Sequence, residues 1–505
     1  MLGRKTARTY AHAAVNAAHP IAAEIAVGAL RDGGTACDAA LAAAAAQTVL
    51  EPHLATITGY LGMLYHDATS QSDWYVNGHV TTPLSPLLDF DEKKVETGLG
   101  CAVPGWVGGF EAARLRGARL SRRRLIEPAI ELARGGFSMH PLLFGVAYGN
   151  QDRLGRSEQA REIFMPEGQL VQPGQTVRME RAALTLEQVA DAGTEYFYAG
   201  DFATSFVNAV REIGGMLTTA DLGSYQALVS KPLYGSYRGF QVAAATLPDH
   251  GGLRLLEALN LAECLDLEHL RPAHESADTL WHLASISQAV SYAPRFTAGY
   301  RPEPIALLTS KEFARSRLEL IQSGLRTSAG GDTCSITVVD AEGSVAACQH
   351  SCASAAWINS LFCEGVWVAG AGDHFLECMP PPRQRPIGND GSVIVFRDSQ
   401  FVLAGGSPSA SLNAAVLQNL VNQLDFNIAL EESVHLPRFG NGRPKSPIEV
   451  GFGLELINQV RRRGLELDVV NVWNPHLGSF AGVTRQGDSL VACGDPRRDA
   501  VAGGY

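Results

Sequence analysis

The sequence predicts an α+β protein organised as a four-layer αββα sandwich, in which two β-sheets pack face to face and helices cover their outer surfaces. Helical spacing of apolar residues dominates the first two-thirds of the chain, whereas strand-like alternation begins abruptly at Thr333. An apolar hairpin follows over residues 393–404, with a helical stretch over residues 410–424 behind it. Two sheets with helices outside them account for all of these segments.

The first part of the chain mixes helices with paired strands. Small and apolar residues recur at helical spacing over residues 21–30 and 39–49, and Gly33-Gly34 ends the first of these stretches, which predicts an antiparallel helix pair. Residues 62–80 alternate like two paired strands, and Asn77-Gly78 predicts a tight turn. The remaining predicted elements are helices over residues 106–192, a strand pair over residues 234–245 and helices over residues 251–288.

A hairpin is predicted directly after residues 328–331, a short stretch of small residues. Its first strand has two faces because side chains alternate along a strand. We expect Thr333, Ser335 and Thr337 on one face and Cys334, Ile336 and Val338 on the other. Residues 341–344 then form the turn into a second strand that runs through Cys352. The hairpin therefore begins at a threonine.

The 505-residue chain has the composition of a soluble globular enzyme, with 46% hydrophobic and 18% charged residues. Its formal net charge of -11 opposes a nucleic-acid-binding surface. No apolar stretch reaches the roughly 18 residues that a membrane helix needs, and residues 1–20 lack the continuous apolar core of a signal peptide. We therefore expect a cytoplasmic protein that binds neither nucleic acid nor membrane.

Nine cysteines, an odd number without a secretory signal, favour free thiols over a disulfide framework. Cys348 and Cys352 lie near His350 and His374 in the sequence, which invites comparison with a metal site. On one strand, however, these two thiols would stand about 13 Å apart at about 3.3 Å per residue, too far to share an ion. We expect buried structural thiols, no metal and no cofactor.

A threonine at the first position of a strand has a chemical use that an internal threonine lacks. If the peptide bond between Asp332 and Thr333 is cut, Thr333 gains an α-amine whose unperturbed pKa is about 8. That amine can accept the proton of the residue's own hydroxyl, so one residue supplies both nucleophile and base. On these residues alone, an ordinary loop that enters an ordinary strand is the favoured interpretation.

Two segments decide between these interpretations, and they are Gly331-Asp332-Thr333-Cys334-Ser335 and Gly343-Ser344-Val345-Ala346. Together they resemble the processing site of γ-glutamyltranspeptidases and related cephalosporin acylases, which are N-terminal-nucleophile hydrolases. Further short motifs extend the resemblance nearly end to end: His19-Pro20, Gly33-Gly34, Glu51-Pro52-His53, Ala102-Val103-Pro104-Gly105, Tyr237-Arg238-Gly239, Pro437-Arg438-Phe439 and Asp495-Pro496-Arg497.

The resemblance implies that the chain is a precursor that cuts itself between Asp332 and Thr333. Residues 1–332 would form the larger subunit and residues 333–505 the smaller, and the two fragments would stay associated. Thr333 falls on the family's catalytic threonine. Ser351 falls on a supporting threonine of the family, so an O–H group is kept there, although a plain strand serine is the alternative.

At the positions where the family binds a γ-glutamyl group, this chain has different residues. The resemblance places them at His79, Ala353, Ala371, His374, Gly388 and Asn389, and the two backbone N–H groups of the oxyanion hole at Ser409 and Ala410. The Arg and Asp that would pair the substrate's carboxylate and ammonium are thus both replaced by histidine, and each lost charged contact is worth about 1.5–3 kcal/mol. Retained chemistry on a different, small carboxylated substrate is the hypothesis that follows.

The chain resembles the γ-glutamyltranspeptidase homologues of lincomycin, hormaomycin and pyrrolobenzodiazepine pathways, which implies carbon–carbon bond cleavage on a 4-alkylproline precursor during antibiotic biosynthesis. Three alternatives stay open at this point. They are a true γ-glutamyl hydrolase or transferase on glutathione-like donors, a cephalosporin-acylase-like amidase, and an unprocessed pseudoenzyme that acts as a binding partner.

Overall fold

The computed structural model describes residues 3–291, 304–321, 333–408, 411–441 and 445–505. Asp332, Ser409 and Ala410 therefore lie outside the described residues. The strands are β1 Arg8–Tyr10, β2 Ala14–Ala17, β3 Tyr60–Asp67, β4 Ser72–Gly78, β5 Phe137–Ser138, β6 Thr176–Val177, β7 Leu228–Ser230, β8 Leu233–Tyr237, β9 Phe240–Ala244, β10 Cys334–Val339, β11 Val345–Ser351, β12 Phe362–Cys363, β13 Val366–Trp367, β14 Val393–Arg397, β15 Gln400–Gly406, β16 Ser446–Glu449, β17 Leu467–Val470, β18 Ala481–Gln486, β19 Ser489–Cys493 and β20 Val501–Gly504.

Two seven-stranded sheets form the centre of the described chain. The first sheet has the order β20-β2-β10-β11-β3-β4-β7, and the second has the order β1-β19-β18-β15-β14-β9-β8. Neighbouring strands in both sheets are antiparallel. The predicted hairpin that begins at Thr333 is β10–β11, and it lies in the middle of the first sheet.

Helices cover the outer face of each sheet. They are α1 Pro20–Arg31, α2 Ala36–Leu50, α3 Trp106–Gly117, α4 Arg122–Gly135, α5 Pro141–Gly149, α6 Gln151–Arg156, α7 Glu158–Phe164, α8 Glu180–Ala192, α9 Thr194–Tyr198, α10 Asp201–Glu212, α11 Thr219–Gly223, α12 Gly251–Glu263, α13 Ala277–Ser291, α14 Ile305–Leu308, α15 Lys311–Ile321, α16 Gly372–Glu377, α17 Leu412–Leu424, α18 Leu430–His435 and α19 Leu454–Arg462. Helices α1 to α3 pack on the first sheet, and α12, α17 and α18 pack on the second. The predicted four-layer αββα sandwich is confirmed.

Three apolar cores separate the four layers. One lies between the first sheet and its helices, one between the second sheet and its helices, and one between the two sheets. The inter-sheet core includes Leu64, Tyr75, Val339, Ile394 and Val483. This apolar core does not extend to the ends of the strands. At the end of the sandwich where Thr333 lies, the residues between the sheets are polar.

Helix α2 illustrates how the sequence builds the outer layer. Thr35 and Asp38 form a reciprocal capping box at its start, in which each side chain accepts the other's backbone N–H. Every residue of α2 is buried. Its run of alanines lets the helix backbone approach both α1 and the first sheet closely, which explains why an apolar stretch of this length is a core helix.

The prediction of a tight turn at Asn77-Gly78 is wrong. The structure places both residues inside β4, paired with Gly62 and Leu61 of β3, and the connection between the two strands lies at residues 68–71. Asn77 donates its side-chain N–H to the buried carboxyl of Asp249. Tertiary hydrogen bonding has therefore overridden a local turn preference.

A buried ion network ties the end of the chain to the second sheet's helices. Arg497 donates to both carboxylate oxygens of Glu449, at 2.9 and 2.6 Å, and Arg438 pairs with Asp495 at 2.6 Å. All four side chains are almost wholly excluded from solvent. The neighbouring Arg498 contacts the backbone of Thr333, so this network also positions part of the candidate site.

None of the helices in the described ranges combines the length and the apolar character that crossing a membrane requires.

We predict that Glu449→Gln lowers the free energy of unfolding by about 3 kcal/mol, because it leaves Arg497 buried with too little negative charge. The matched control is Glu342→Gln, which breaks the exposed 2.6 Å pair with Arg119 and should cost about 1 kcal/mol or less. Thermal unfolding of both variants beside the wild type measures the difference. Equal melting temperatures for the two variants would contradict the structural role given to the network.

Candidate active site

The site is one row of side chains across four strands of the first sheet. Paired residues on neighbouring strands point to the same face. The observed pairs are Cys334 with His350, Ser351 with Tyr60, and Leu61 with Gly78. Because these strands are antiparallel, the residue before Cys334 lies opposite the residue after His350, so Thr333 faces Ser351. In the same way Tyr60 faces His79. Thr333, Ser351, Tyr60 and His79 therefore form one row. The row closes the inter-sheet space at the end of the sandwich.

Thr333 stands directly before β10 and is 6% exposed. Its carbonyl accepts a hydrogen bond from Nη1 of Arg498 at 3.4 Å. Its side chain lies next to the phenol of Tyr60 and lowers the pKa of that phenol. The next residue, Cys334, faces the opposite side of the sheet, where its thiol donates to Glu51 at 3.5 Å. The predicted alternation of faces along this strand is therefore observed.

Ser351 lies beside Thr333 in the row and is buried. Its hydroxyl oxygen accepts the backbone N–H of Ala353 at 3.0 Å. Ala353 adopts a left-handed backbone conformation with φ of 58°, which turns the chain away from the sheet. The backbone of Ala353 also lies close to the ring of His374 and raises the pKa of that ring. Two of the sequence-predicted positions are thus connected through a backbone contact.

His79 occupies the far end of the row and packs against two rings. Its imidazole stacks on Tyr60 with ring centroids 4.5 Å apart, and it meets His374 edge to face at 5.8 Å. Burial lowers the pKa of His79 well below its usual value, and the His374 and Arg385 charges act in the same direction. Burial also lowers the pKa of His374. Both rings are therefore neutral at physiological pH.

Gly388 lies against the ring of His79, whereas Asn389 and Ala371 contact other groups. A Cβ on Gly388 would lie 1.6 Å from a carboxyl oxygen of Asp249, so this glycine is required by close approach. Asn389 accepts a hydrogen bond from Arg254 at 2.7 Å. Ala371 belongs to a small apolar cluster with Val80, Ala102 and Phe375, so it adds only an apolar wall.

The oxyanion candidates Ser409 and Ala410 lie outside the described residues. The chain just before them is fixed to the first sheet, because the side chain of Gln349 on β11 donates to the carbonyl of Ser407 at 2.9 Å. Gln349 is fully buried.

A pair of buried carboxyl groups lies one layer behind the row. The phenol of Tyr75 donates toward both Asp249 and Asp390, at 2.6 and 3.0 Å, and Asn77 donates to the same oxygen of Asp249. Burial and the adjacent Asp390 raise the pKa of Asp249 to about 7, and burial raises that of Asp390. Gly62 leaves the space that Asp390 needs, because a Cβ there would meet its carboxylate at 2.3 Å.

One buried cation lies near these groups. Arg385 donates to the carbonyl of Gln226 and stacks over the ring of Tyr225, with 5.5 Å to the ring centroid. Its Nε atom is buried without a hydrogen-bond partner. The charge of Arg385 lowers the pKa of both His79 and Asp249. A cation and a pair of carboxyl groups therefore lie behind the row.

A family model for γ-glutamyltranspeptidase matches residues 22–505. The chain belongs to the γ-glutamyltranspeptidase family. The glutathione hydrolase proenzyme of Bacillus subtilis (strain 168) is 27% identical, over 95% of this chain and 91% of that protein. Cephalosporin acylase from Bacillus halodurans superposes with a TM-score of 0.87 at 23% identity, over 100% of this chain and 97% of that one. The structure of LmbA2991HD superposes with a TM-score of 0.85 at 21% identity, over 100% of both chains.

Membership confirms the family prediction and the hydrolase class that came with it. The two structural likenesses support the fold. For this member of the γ-glutamyltranspeptidase family, the described ranges contain no group of three or more His, Cys, Asp or Glu side chains arranged to hold a metal ion.

Sequence reasoning missed Tyr60, Asp249, Asp390 and Arg385. Tyr60 enters the site only through strand register, which local patterns do not reveal. Asp249 and Asp390 lie 141 positions apart in the sequence and meet only when the second sheet folds over the first. The one available signal was the presence of charged residues in otherwise apolar, glycine-rich surroundings, at Asp249 before Gly251-Gly252 and at Asp390 before Gly391.

We predict that Asp249→Asn changes how stability depends on pH. Because the folded-state pKa of Asp249 is raised to about 7, folding retains a proton that the unfolded chain loses near pH 4, and stability falls as the pH rises through this window. Relative to its parent, the variant should therefore gain about 1–3 kcal/mol between pH 5 and pH 8.

Melting temperatures from pH 5 to pH 8 provide the measurement, in a Thr333→Ala background, which the sequence resemblance predicts to remain one chain. Asp488→Asn, at an exposed turn, is the control and should show a constant offset. A constant offset for Asp249→Asn as well would disprove the raised pKa.

Proposed function

We propose that this chain is a self-processing hydrolase that uses Thr333 as an N-terminal nucleophile on a small carboxylated metabolite. The observation that carries the proposal is the position of Thr333. It opens a central strand, and its side chain stands in the row that closes the inter-sheet space. The substituted positions His79, His374, Ala353 and Gly388 surround that same space.

The first step is cleavage between Asp332 and Thr333. The Thr333 hydroxyl attacks the carbonyl carbon of Asp332, the peptide C–N bond breaks as the nitrogen of Thr333 takes a proton, and water opens the resulting ester. Residues 1–332 and 333–505 then form one catalytic unit. The shared sheet supports this division, because β2, β3 and β4 of the first fragment pair around β10 and β11 of the second.

The second step uses the amine that cleavage releases. The Thr333 amine accepts the hydroxyl proton, the oxygen attacks the substrate carbonyl, and backbone N–H groups at Ser409 and Ala410 receive the oxyanion. Collapse of the tetrahedral intermediate expels the leaving group, which takes the proton from the amine. Water then releases the acyl group from Thr333.

We further propose that the bond cleaved is a carbon–carbon bond in 4-alkylproline-type antibiotic biosynthesis. The support is the sequence resemblance to homologues of those pathways and the neutral histidine pair at the positions of the family's charged grips. Carbon–carbon cleavage requires a leaving carbon that is stabilised as an enol, and neutral imidazoles can donate a hydrogen bond to such a group.

A γ-glutamyl hydrolase is the second candidate, favoured by the relative from Bacillus subtilis and by Arg385. In that case the buried guanidinium of Arg385 would have to bind the α-carboxylate of the substrate, because His79 stands where the family has an arginine for that purpose. The two candidates differ in whether the substrate needs a free α-ammonium group.

We predict that purified wild type consists of two fragments with the masses of residues 1–332 and 333–505, and that Thr333→Ala stays intact. The matched control is Thr337→Ala on the same strand, whose hydroxyl bonds to the carbonyl of Ala481 at 2.7 Å and which should still be cut. Intact mass spectrometry and a denaturing gel give the answer. A wild type that remains one chain would favour the pseudoenzyme interpretation.

We predict that γ-glutamyl p-nitroanilide is a poor substrate, with kcat/KM well below roughly 10⁴ M⁻¹s⁻¹. Glutaryl p-nitroanilide, which lacks only the α-ammonium group, should react at least as fast, because no fixed negative charge faces that group from the aligned positions. Steady-state kinetics on this substrate pair provide the measurement. A tenfold preference for the γ-glutamyl compound, with kcat/KM above that value, would support the glutathione branch instead.

A further inference from the structure

The side chain of Tyr60 spans the row and reaches the nucleophile. Tyr60 and Thr333 lie on strands that are separated by β11, so their backbones stand about 10 Å apart at roughly 4.8 Å per strand. The residue between them is Ser351, whose small side chain leaves room for a phenol to pass over it. The contact between Tyr60 and Thr333 is therefore made possible by a serine in the middle of the row.

Packing holds the Tyr60 ring in a single place. The side chain is 6% exposed, and His79 stacks on it with an interplanar angle of 10°. The preceding Gly59 lies so close to β11 that a Cβ there would be 2.0 Å from the carbonyl oxygen of Ser351. The start of β3 is thus pressed against β11.

The phenol keeps its proton throughout the working pH range. Burial raises the pKa of Tyr60 well above its usual value, and the neighbouring charges of Asp390 and Asp249 raise it further, which outweighs the lowering effect of the Thr333 side chain. A neutral phenol can donate a hydrogen bond to an oxygen that is becoming negative. The carboxyl pair behind the row therefore helps to keep Tyr60 a donor.

We propose that Tyr60 positions the nucleophile: its O–H group donates to Oγ1 of Thr333 while that oxygen loses its own proton and attacks. This inference rests on the proposed function of Thr333 and adds a second residue to it. The Thr333 proton moves to the base, Tyr60 retains its proton, and one lone pair of Oγ1 remains free for the carbonyl carbon.

Tyr60→Phe tests this inference because it removes one oxygen and leaves the stacked ring in place. The matched control is Tyr65→Phe on the same strand, about 17 Å away and on the opposite face. Tyr65 is also buried, and its hydroxyl bonds to the side chains of Ser344 and Thr35. Both variants lose a buried phenol hydroxyl, but only one of these hydroxyls contacts Thr333.

Two rates are measured for each variant. The first is the rate constant of precursor self-cleavage after cell-free synthesis, which needs no known substrate. The second is single-turnover acylation of the processed protein by p-nitrophenyl acetate, at a series of concentrations and after subtraction of the Thr333→Ala background. We expect Tyr60→Phe to slow both by about tenfold, with the half-saturating ester concentration unchanged within twofold.

The control Tyr65→Phe should stay within twofold of the wild type in both rates. A Tyr60→Phe protein that cuts itself and acylates at the wild-type rate would overturn the role of Tyr60 alone. Equal slowing in both variants, with matching losses in melting temperature, would overturn it as well, since the effect would then be structural. A wild type that does not cut itself would overturn the proposed function and this inference together.

Discussion

The hydrogen-bonded register of four neighbouring strands is the constraint on which the candidate site depends. Because β10, β11, β3 and β4 pair in one register, Thr333, Ser351, Tyr60 and His79 share a face and a row. A shift of one residue in any pair would turn a member of the row to the opposite face, where the helices pack. Two of these strands, β3 and β4, precede Thr333 by long stretches of chain, so the site forms only when distant parts of the first sheet are assembled.

Behind the row, the polarity of the inter-sheet space changes in steps. The front consists of hydroxyls and neutral imidazoles, the next layer contains the carboxyl pair Asp249 and Asp390, and the apolar core begins beyond it. Charged groups behind the row affect the protonation of the residues in the row. Asp249 and Asp390 favour the neutral form of Tyr60, and Arg385 favours the neutral form of His79. This arrangement suits a substrate that is recognised by shape and by hydrogen bonds rather than by paired charges.

Much of the fold followed from the sequence because apolar periodicity and glycine positions report local structure directly. The helix pair, the hairpin that begins at Thr333 and the four layers were all predicted correctly. The turn at Asn77-Gly78 failed because Asn77 has a tertiary partner in Asp249, which no local pattern encodes. The roles of the site residues stay predictions: of the positions that the resemblance supplied, the structure places Ser351 and His79 in the same row as Thr333. Tyr60 and the carboxyl pair were missed because register and sheet-on-sheet packing create them.

The proposed nucleophile of the processed protein is the side-chain oxygen of Thr333. The most direct measurement is the location of a covalent adduct. Processed protein is treated with an aryl sulfonyl fluoride at about one equivalent, digested, and mapped by tandem mass spectrometry. We predict one modified peptide that begins at Thr333, with the adduct on the threonine oxygen and activity lost in proportion. An adduct on Ser351, Cys334 or Cys352 that abolishes activity while Thr333 stays unmodified would contradict it.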